Sequence, residues 1–253
     1  FQYVEVSSDK PLELTEKNLT SYFVHTDVPP IGTFECSDSL VNRLWRATNY
    51  SYLSNLVGYP TDCPHREKNG WTGDAHLAIE TALYNFDAIT LYEKWMADHR
   101  DNMYDGGRLR CIIPSGGWGG DILDWTCSMT IIPWAIYEFY GDITCLRDNY
   151  EAMKKQTDYW LAKFPDGIAH DAGLGDWVPY KSVADKALTV SVYYYKNADI
   201  LSRTAKLLGH EEDYRYYKKE AEKIKDAINA KFLNRETGVY ASGCQTEQSM
   251  PLY

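Results

Sequence analysis

The 253-residue sequence has a net charge of −10, with 44% hydrophobic and 25% charged residues, proportions of a globular chain that exclude the disordered and fibrous classes. An acidic chain without a basic stripe is ill suited to displace counterions from a polyanion, which argues against nucleic acid as a partner. No apolar run is long enough to cross a bilayer and no signal peptide is recognised, so a membrane is not expected as a partner either.

Residues 1–33 hold two short alternating runs, Phe1 to Val6 and Leu19 to Val24, broken by Lys10-Pro11 and Pro29-Pro30. They predict a short β-rich segment, the tail of a preceding domain and its linker. From Ser37 onward the apolar period becomes helical, with Leu40, Leu44, Ala47 and Ser54 on one face behind a Ser37/Asp38 cap. Helices are predicted near 37–57, 72–85, 87–103, 124–140, 143–165, 184–208 and 210–233, with an eighth beginning near 245. Gly58, Asp87, Gly141-Asp142, Gly209 and Gly238 serve as stops and caps. The result is a mainly α chain of helical hairpins around an axis. Three long loops, 58–74, 104–124 and 166–183, are the places where function is expected. The open start at Phe1 and the open end at Tyr253 read as a piece of a longer protein.

Chemistry concentrates in Tyr59-Pro60-Thr61-Asp62-Cys63-Pro64-His65-Arg66-Glu67-Lys68-Asn69-Gly70-Trp71-Thr72-Gly73-Asp74. A glycosidase needs one carboxylic acid at the leaving oxygen and a second carboxylate for water or for direct attack, with environments that separate their pKa values. Crowded carboxylates beside Arg66 suit that division. On spacing alone a plainer reading is the stronger one: Asp62 and Asp74 as helix caps, Arg66 and Glu67 as a surface ion pair. The second loop, Pro114-Ser115-Gly116-Gly117-Trp118-Gly119-Gly120-Asp121-Ile122-Leu123-Asp124-Trp125, lacks the Lys-Ser/Thr of a phosphate-binding loop. Trp118 is expected to pack rather than to touch a ligand. The 21 tyrosines and 8 tryptophans provide flat faces with a polar edge, most of them core and some suited to sugar rings.

Other candidates are plain. The six cysteines form no C-x-x-C pair and no zinc spacing, and reduced thiols are the default. His65, His76, His99, His170 and His210 show no H-x-x-x-H or H-E-x-x-H pattern, so no metal is expected. Lys68 and the run Lys218 to Lys223 are solvated, and the sequons at Asn18 and Asn49 matter only in a glycosylating route.

The composite motif Asp62-Cys63-Pro64-x-Arg66-Glu67-x-x-Gly70-Trp71-x-Gly73-Asp74 closely resembles the signature of the α-L-rhamnosidases of glycoside hydrolase family 78. Gly175-Asp176-Trp177 and Gln245-Thr246-x-Gln248 resemble further family segments. The resemblance covers most of the chain. It implies an (α/α)6 toroid, incomplete here, over 34–253, with 1–33 as the tail of a β-sandwich and linker. It also implies an inverting exo-hydrolase that releases terminal α-L-rhamnose from a rhamnose-containing carbohydrate, without cofactor or metal. Glu67 takes the role of general acid. Some members carry one more residue between the Arg and the Glu, and Glu67 is the only glutamate of the loop. Asp62, Arg66 and Asp74 would bind sugar hydroxyls and tune the acid, and Trp71, Trp125 and Trp177 would wall the pocket, whose indoles suit the C6 methyl of rhamnose. The general base would be a Glu of a later hairpin beyond Tyr253, so this piece alone is expected to be inactive. Another toroidal glycosidase or a polysaccharide lyase, and a non-catalytic carbohydrate-binding domain, stay open as alternatives.

Overall fold

The computed structural model describes residues 3–115, 117 and 119–253; Phe1, Gln2, Gly116 and Trp118 lie outside the described residues, and with them the expectation for Trp118. The helices are α1 Ser39–Ser54, α2 Thr72–Asn85, α3 Ile89–Asp101, α4 Leu123–Thr126, α5 Ser128–Tyr140, α6 Thr144–Lys163, α7 Lys186–Leu208, α8 Glu211–Phe232 and α9 Gln245–Ser249, followed by a 3₁₀ turn at Met250–Leu252. α1 starts where the sequence places its cap: Asp38 Oδ1 accepts the amides of Leu40 at 2.8 Å and Val41 at 3.4 Å. α5 and α7 end on Gly141 and Gly209, as expected.

The helices form two layers. α2, α5 and α7 pack in sequence on one another, α3 and α6 lie against α5, and α8 pairs along most of α7. The layers differ in pattern for a physical reason. All of Ser128 to Ile136 in α5 is buried, as a helix surrounded by protein requires, whereas α8 buries the single stripe Tyr217, Ala221, Ile224, Ile228 and Phe232. Some buried polar groups pair between helices: Thr130 Oγ1 donates to Asn197 Oδ1 at 2.5 Å, and His99 meets Ser128 Oγ at 3.0 Å. Among the described residues no helix is long and apolar enough to cross a membrane.

Three expectations need correction. The helix predicted over 124–140 is interrupted at Cys127, whose ψ of −4° is well off the regular α-helical value. Its Sγ donates to the Asp124 carbonyl at 3.2 Å, and both the amide and the hydroxyl of Thr130 return to the Cys127 carbonyl at 3.0 Å beside the regular bond from the Ile131 amide at 2.9 Å, so local bonds compete with the ladder at the break. The β-rich start is extended without pairing: among described residues 3–33 the single backbone bridge is Pro30 to Phe86. Tyr3, Val4, Leu19, Tyr22 and Val24 are exposed, and alternation stabilises a strand only when one face is covered and an edge is paired. The paired strands lie instead at Leu233–Asn234 and Val239–Tyr240, a small antiparallel hairpin that the helical reading missed.

Candidate active site

The loop 58–74 is folded by its own backbone. The Asp62 amide donates to the Asn69 carbonyl and the Asn69 amide returns to Asp62 Oδ1, both at 3.0 Å, which closes the intervening residues into a turn with Lys68 at φ 55°. The second half is pinned to the next loop: Trp71 bridges Ile112, the Thr72 amide donates to the Cys111 carbonyl at 2.9 Å, and Thr72 Oγ1 donates to the Trp125 carbonyl at 2.9 Å. Gly73 is required by close approach. A Cβ there would stand 2.5 Å from the Trp125 ring, so the indole lies directly against the first turn of α2.

The third loop hangs from α4. Asp124, buried to 2% exposure, accepts the amides of Leu174 at 3.0 Å and Gly175 at 2.8 Å through its carboxylate. The Leu123 amide donates to the Ala172 carbonyl at 2.7 Å. Further along, Asp176 Oδ2 accepts from Thr246 Oγ1 at 2.8 Å, so α9 holds the same loop from the other side.

These attachments bring Asp62, Arg66, Glu67, Trp71, Asp74, Trp125 and Trp177 around one cavity of about 470 Å³, together with Cys63, Ile122 and Leu174. All seven sequence-selected residues therefore share a wall or rim. Of the other three, Cys63 stands inside the composite motif without a role assigned to it, and Ile122 and Leu174 are apolar neighbours of the motif residues. Glu67 is exposed at this cavity, and its Oε2 accepts the Trp71 indole N–H at 2.9 Å. Arg66 Nη2 donates to Cys63 Sγ at 3.3 Å. A larger cavity of about 620 Å³ lies between α2, α5 and α7, lined among others by His76, Glu80, Trp134 and Lys196. It gathers none of the loop carboxylates.

The electrostatics divide the acids. Asp74 opens to solvent, yet crowding by protein raises its pKa, and repulsion from Asp62 and Glu67 adds to the rise while the Trp125 indole opposes it. Burial pushes Asp124 up to about 6 against the amides of Gly175 and Leu174, which favour its charged form. The Cys63 thiol is also raised, chiefly through its hydrogen bond with Asp62. Asp62, Cys63 and Glu67 bring ligand atoms within 4.8 Å of one another, the group among the described residues that could meet an ion. The Arg66 guanidinium already supplies positive charge at the Cys63 sulfur, and no metal is assigned.

The chain matches the model of the bacterial alpha-L-rhamnosidase 6 hairpin glycosidase domain over residues 29–253. An alpha-L-rhamnosidase of Formosa agariphila is 32% identical over 99% of this chain and 29% of its own length. The structure of the alpha-L-rhamnosidase from Dictyoglumus thermophilum superposes with a TM-score of 0.85 at 39% identity, over 90% of this chain and 27% of that one. The Streptomyces avermitilis alpha-L-rhamnosidase, solved in complex with L-rhamnose, superposes with a TM-score of 0.81 at 28% identity, over 87% of this chain and 21% of that one. The chain thus spans less than a third of the length of these relatives. A helical two-layer fold, a loop of carboxylates and indoles at one cavity, and a family model that runs from residue 29 to the last residue lead to one conclusion: the chain belongs to the bacterial alpha-L-rhamnosidase six-hairpin glycosidase family.

Proposed function

We propose that this chain is the front part of the catalytic domain of an α-L-rhamnosidase that releases terminal α-L-rhamnose with inversion, Glu67 acting as the general acid. The observation that carries the reading is the position of Glu67, the exposed carboxyl of a loop anchored at both ends, facing a cavity with three indoles. The indole N–H of Trp71 orients one carboxylate oxygen and leaves the group accessible to a glycosidic oxygen. Asp62, Asp74 and Arg66 offer acceptors and a donor fork for the ring hydroxyls, while Trp71, Trp125 and Trp177 offer apolar faces to the C6 methyl.

Mechanistically, a proton held on Glu67 passes to the leaving oxygen as the glycosidic bond breaks, and a water attacks the anomeric carbon from the opposite face. The acid and the base that activates that water stand roughly 6.5–9.5 Å apart in an inverting enzyme. Asp62 and Glu67 bring carboxylate oxygens within 4.8 Å from the same loop. Asp62 therefore suits sugar binding on the acid's own side, and the base is assigned to a Glu of a later hairpin. The raised pKa of Asp74 keeps a neighbouring carboxyl more readily protonated, which limits the negative charge around Glu67. The test is the full-length enzyme on p-nitrophenyl α-L-rhamnoside, followed by proton NMR. Hydrolysis with β-rhamnose as the first-formed anomer supports the reading. An α-anomer product overturns inversion, and inertness toward rhamnosides with activity on other glycosides overturns the substrate.

A further inference from the structure

Asp124 is a buried carboxylate that the proposed chemistry leaves unused. Its backbone carbonyl accepts the His76 Nε2–H at 2.8 Å, which ties it to α2 just beyond Asp74. Its carboxylate accepts the Leu174 and Gly175 amides, the two donors that open the Gly-Asp-Trp turn. Gly173 fits only because it lacks a side chain, since a Cβ there would stand 2.6 Å from both carboxylate oxygens. Beyond the turn, Trp177 is 66% exposed and is followed by Val178 at φ 52°, a left-handed conformation that a β-branched residue adopts at a cost. Such strain persists where the surroundings over-determine the backbone. Here the surroundings are the Asp124 carboxylate before Trp177 and the Thr246 hydroxyl on Asp176.

We infer that Asp124 is a positioning residue for the sugar site: its carboxylate, seated by His76, holds the 173–177 turn so that Trp177 stands against the same cavity as Glu67. The inference takes its substrate from the rhamnosidase reading, whereas the clamp itself rests on geometry alone. Burial raises the pKa of Asp124 to about 6, so its charged form at neutral pH is held at a cost to folding. Retention of a costly buried charge beside a cavity is the pattern of a group kept for the site.

Asp124→Asn in the full-length enzyme preserves shape but replaces the charged oxygen on which the Leu174 and Gly175 amides converge by a neutral one, and turns an N–H₂ group toward the Leu174 amide in place of Oδ1. The expected result is faster hydrogen exchange at Leu174 and Gly175, a KM for p-nitrophenyl α-L-rhamnoside raised about tenfold, equivalent to one charge-assisted hydrogen bond, and a smaller change in kcat. The melting temperature should hold or rise, whereas a purely structural carboxylate would lower it. In a Trp177→Ala background the same substitution should add little to KM, because Asp124 acts through Trp177. A KM within twofold of wild type with unchanged exchange overturns the inference, as does a full KM effect in the Trp177→Ala background. If Asp124→Asn does not fold, exchange in the wild type decides: slow Leu174 and Gly175 amides within an otherwise fast 173–185 loop support the clamp, and fast ones overturn it. Exchange at these amides is independent of substrate, so an enzyme inert toward rhamnosides but with slow amides fails the functional reading and leaves the clamp standing.

Discussion

Glu67, in the loop 58–74, and Glu247, in the short helix α9, both stand inside segments that resemble the family, and they use the same side chain in opposite ways. Glu67 stands exposed at the cavity with the Trp71 indole on one oxygen. Glu247, 1% exposed, accepts the Asp185 amide at 2.8 Å, the Ser242 amide at 2.8 Å, the Ser242 hydroxyl at 2.6 Å and the Cys244 amide at 3.3 Å. It stitches the start of α7, the turn at 241–244 and α9 into one junction. The contrast teaches that residue type and motif do not separate an accessible carboxyl from a structural one. The number of donors that surround the oxygens, and access to the cavity, do.

The sharpest way to break this comparison is Glu67→Gln in the full-length enzyme. It keeps the acceptor for Trp71 but removes the transferable proton, and general acid catalysis contributes about 10²–10⁴ in rate. Turnover of a natural rhamnoside should fall by that order while rhamnose binding, read by calorimetry, survives. An aryl rhamnoside, whose leaving group needs less protonation, should lose less. Near-normal turnover of the natural substrate would move the acid to Asp74 or Asp62.

Much of this architecture is readable in the residues. Helical periodicity, the Asp38 cap and the Gly141 and Gly209 stops are local signals, and the local chain obeys them. The convergence of loops 58–74, 104–124 and 166–183 follows from the hairpin order, since each joins helices at the same end. The failures are of another kind. Alternation at 1–33 cannot tell whether a partner edge exists, and the Cys127 break depends on side-chain bonds to local carbonyls. Asp124 stands in the second glycine-rich loop beside Trp125, yet its carboxylate meets amides fifty residues away. The Asp of Gly-Asp-Trp likewise meets Thr246 only in three dimensions.

A smaller effect is expected from Gly73→Ala. The added methyl would press on the Trp125 ring from 2.5 Å, and the neighbours are an indole and a helix turn that have little room to yield. Displacement of the wall by about 1 Å costs on the order of 10² in kcat/KM. Steady-state kinetics on the full-length enzyme would read it, and an unchanged kcat/KM would remove Trp125 from the substrate wall. At the structural pole, Glu247→Gln leaves at least one of the amides that bond the carboxylate facing another donor. The junction should lose about 2–3 kcal/mol of local stability, visible as faster exchange at Asp185, Ser242 and Cys244.

The finest test sets Glu247 against Asp124 by pH, because the two buried carboxyls are shifted in opposite directions. For Glu247, burial works to raise the pKa, but the hydrogen bonds from Ser242, Asp185 and Cys244 prevail and hold it at about 2 instead of 4.5. A depressed folded value means that its contribution is fully present above pH 4.5 and is lost as pH falls toward 2. For Asp124 the folded value rises from 3.8 to about 6, burial being the main cause. The folded state then holds the proton more tightly than the unfolded chain, so stability from this group is greatest below pH 3.8 and declines as pH rises through 6. In the full-length enzyme, exchange at Asp185 and Ser242 should accelerate below pH 4.5 after correction for intrinsic rates, and Glu247→Gln should flatten that dependence. Asp124→Asn should leave the acid limb intact and remove the decline between pH 4 and 6. An acid limb that survives Glu247→Gln would show that other carboxyls hold the junction, and the contrast with Glu67 would lose its structural half.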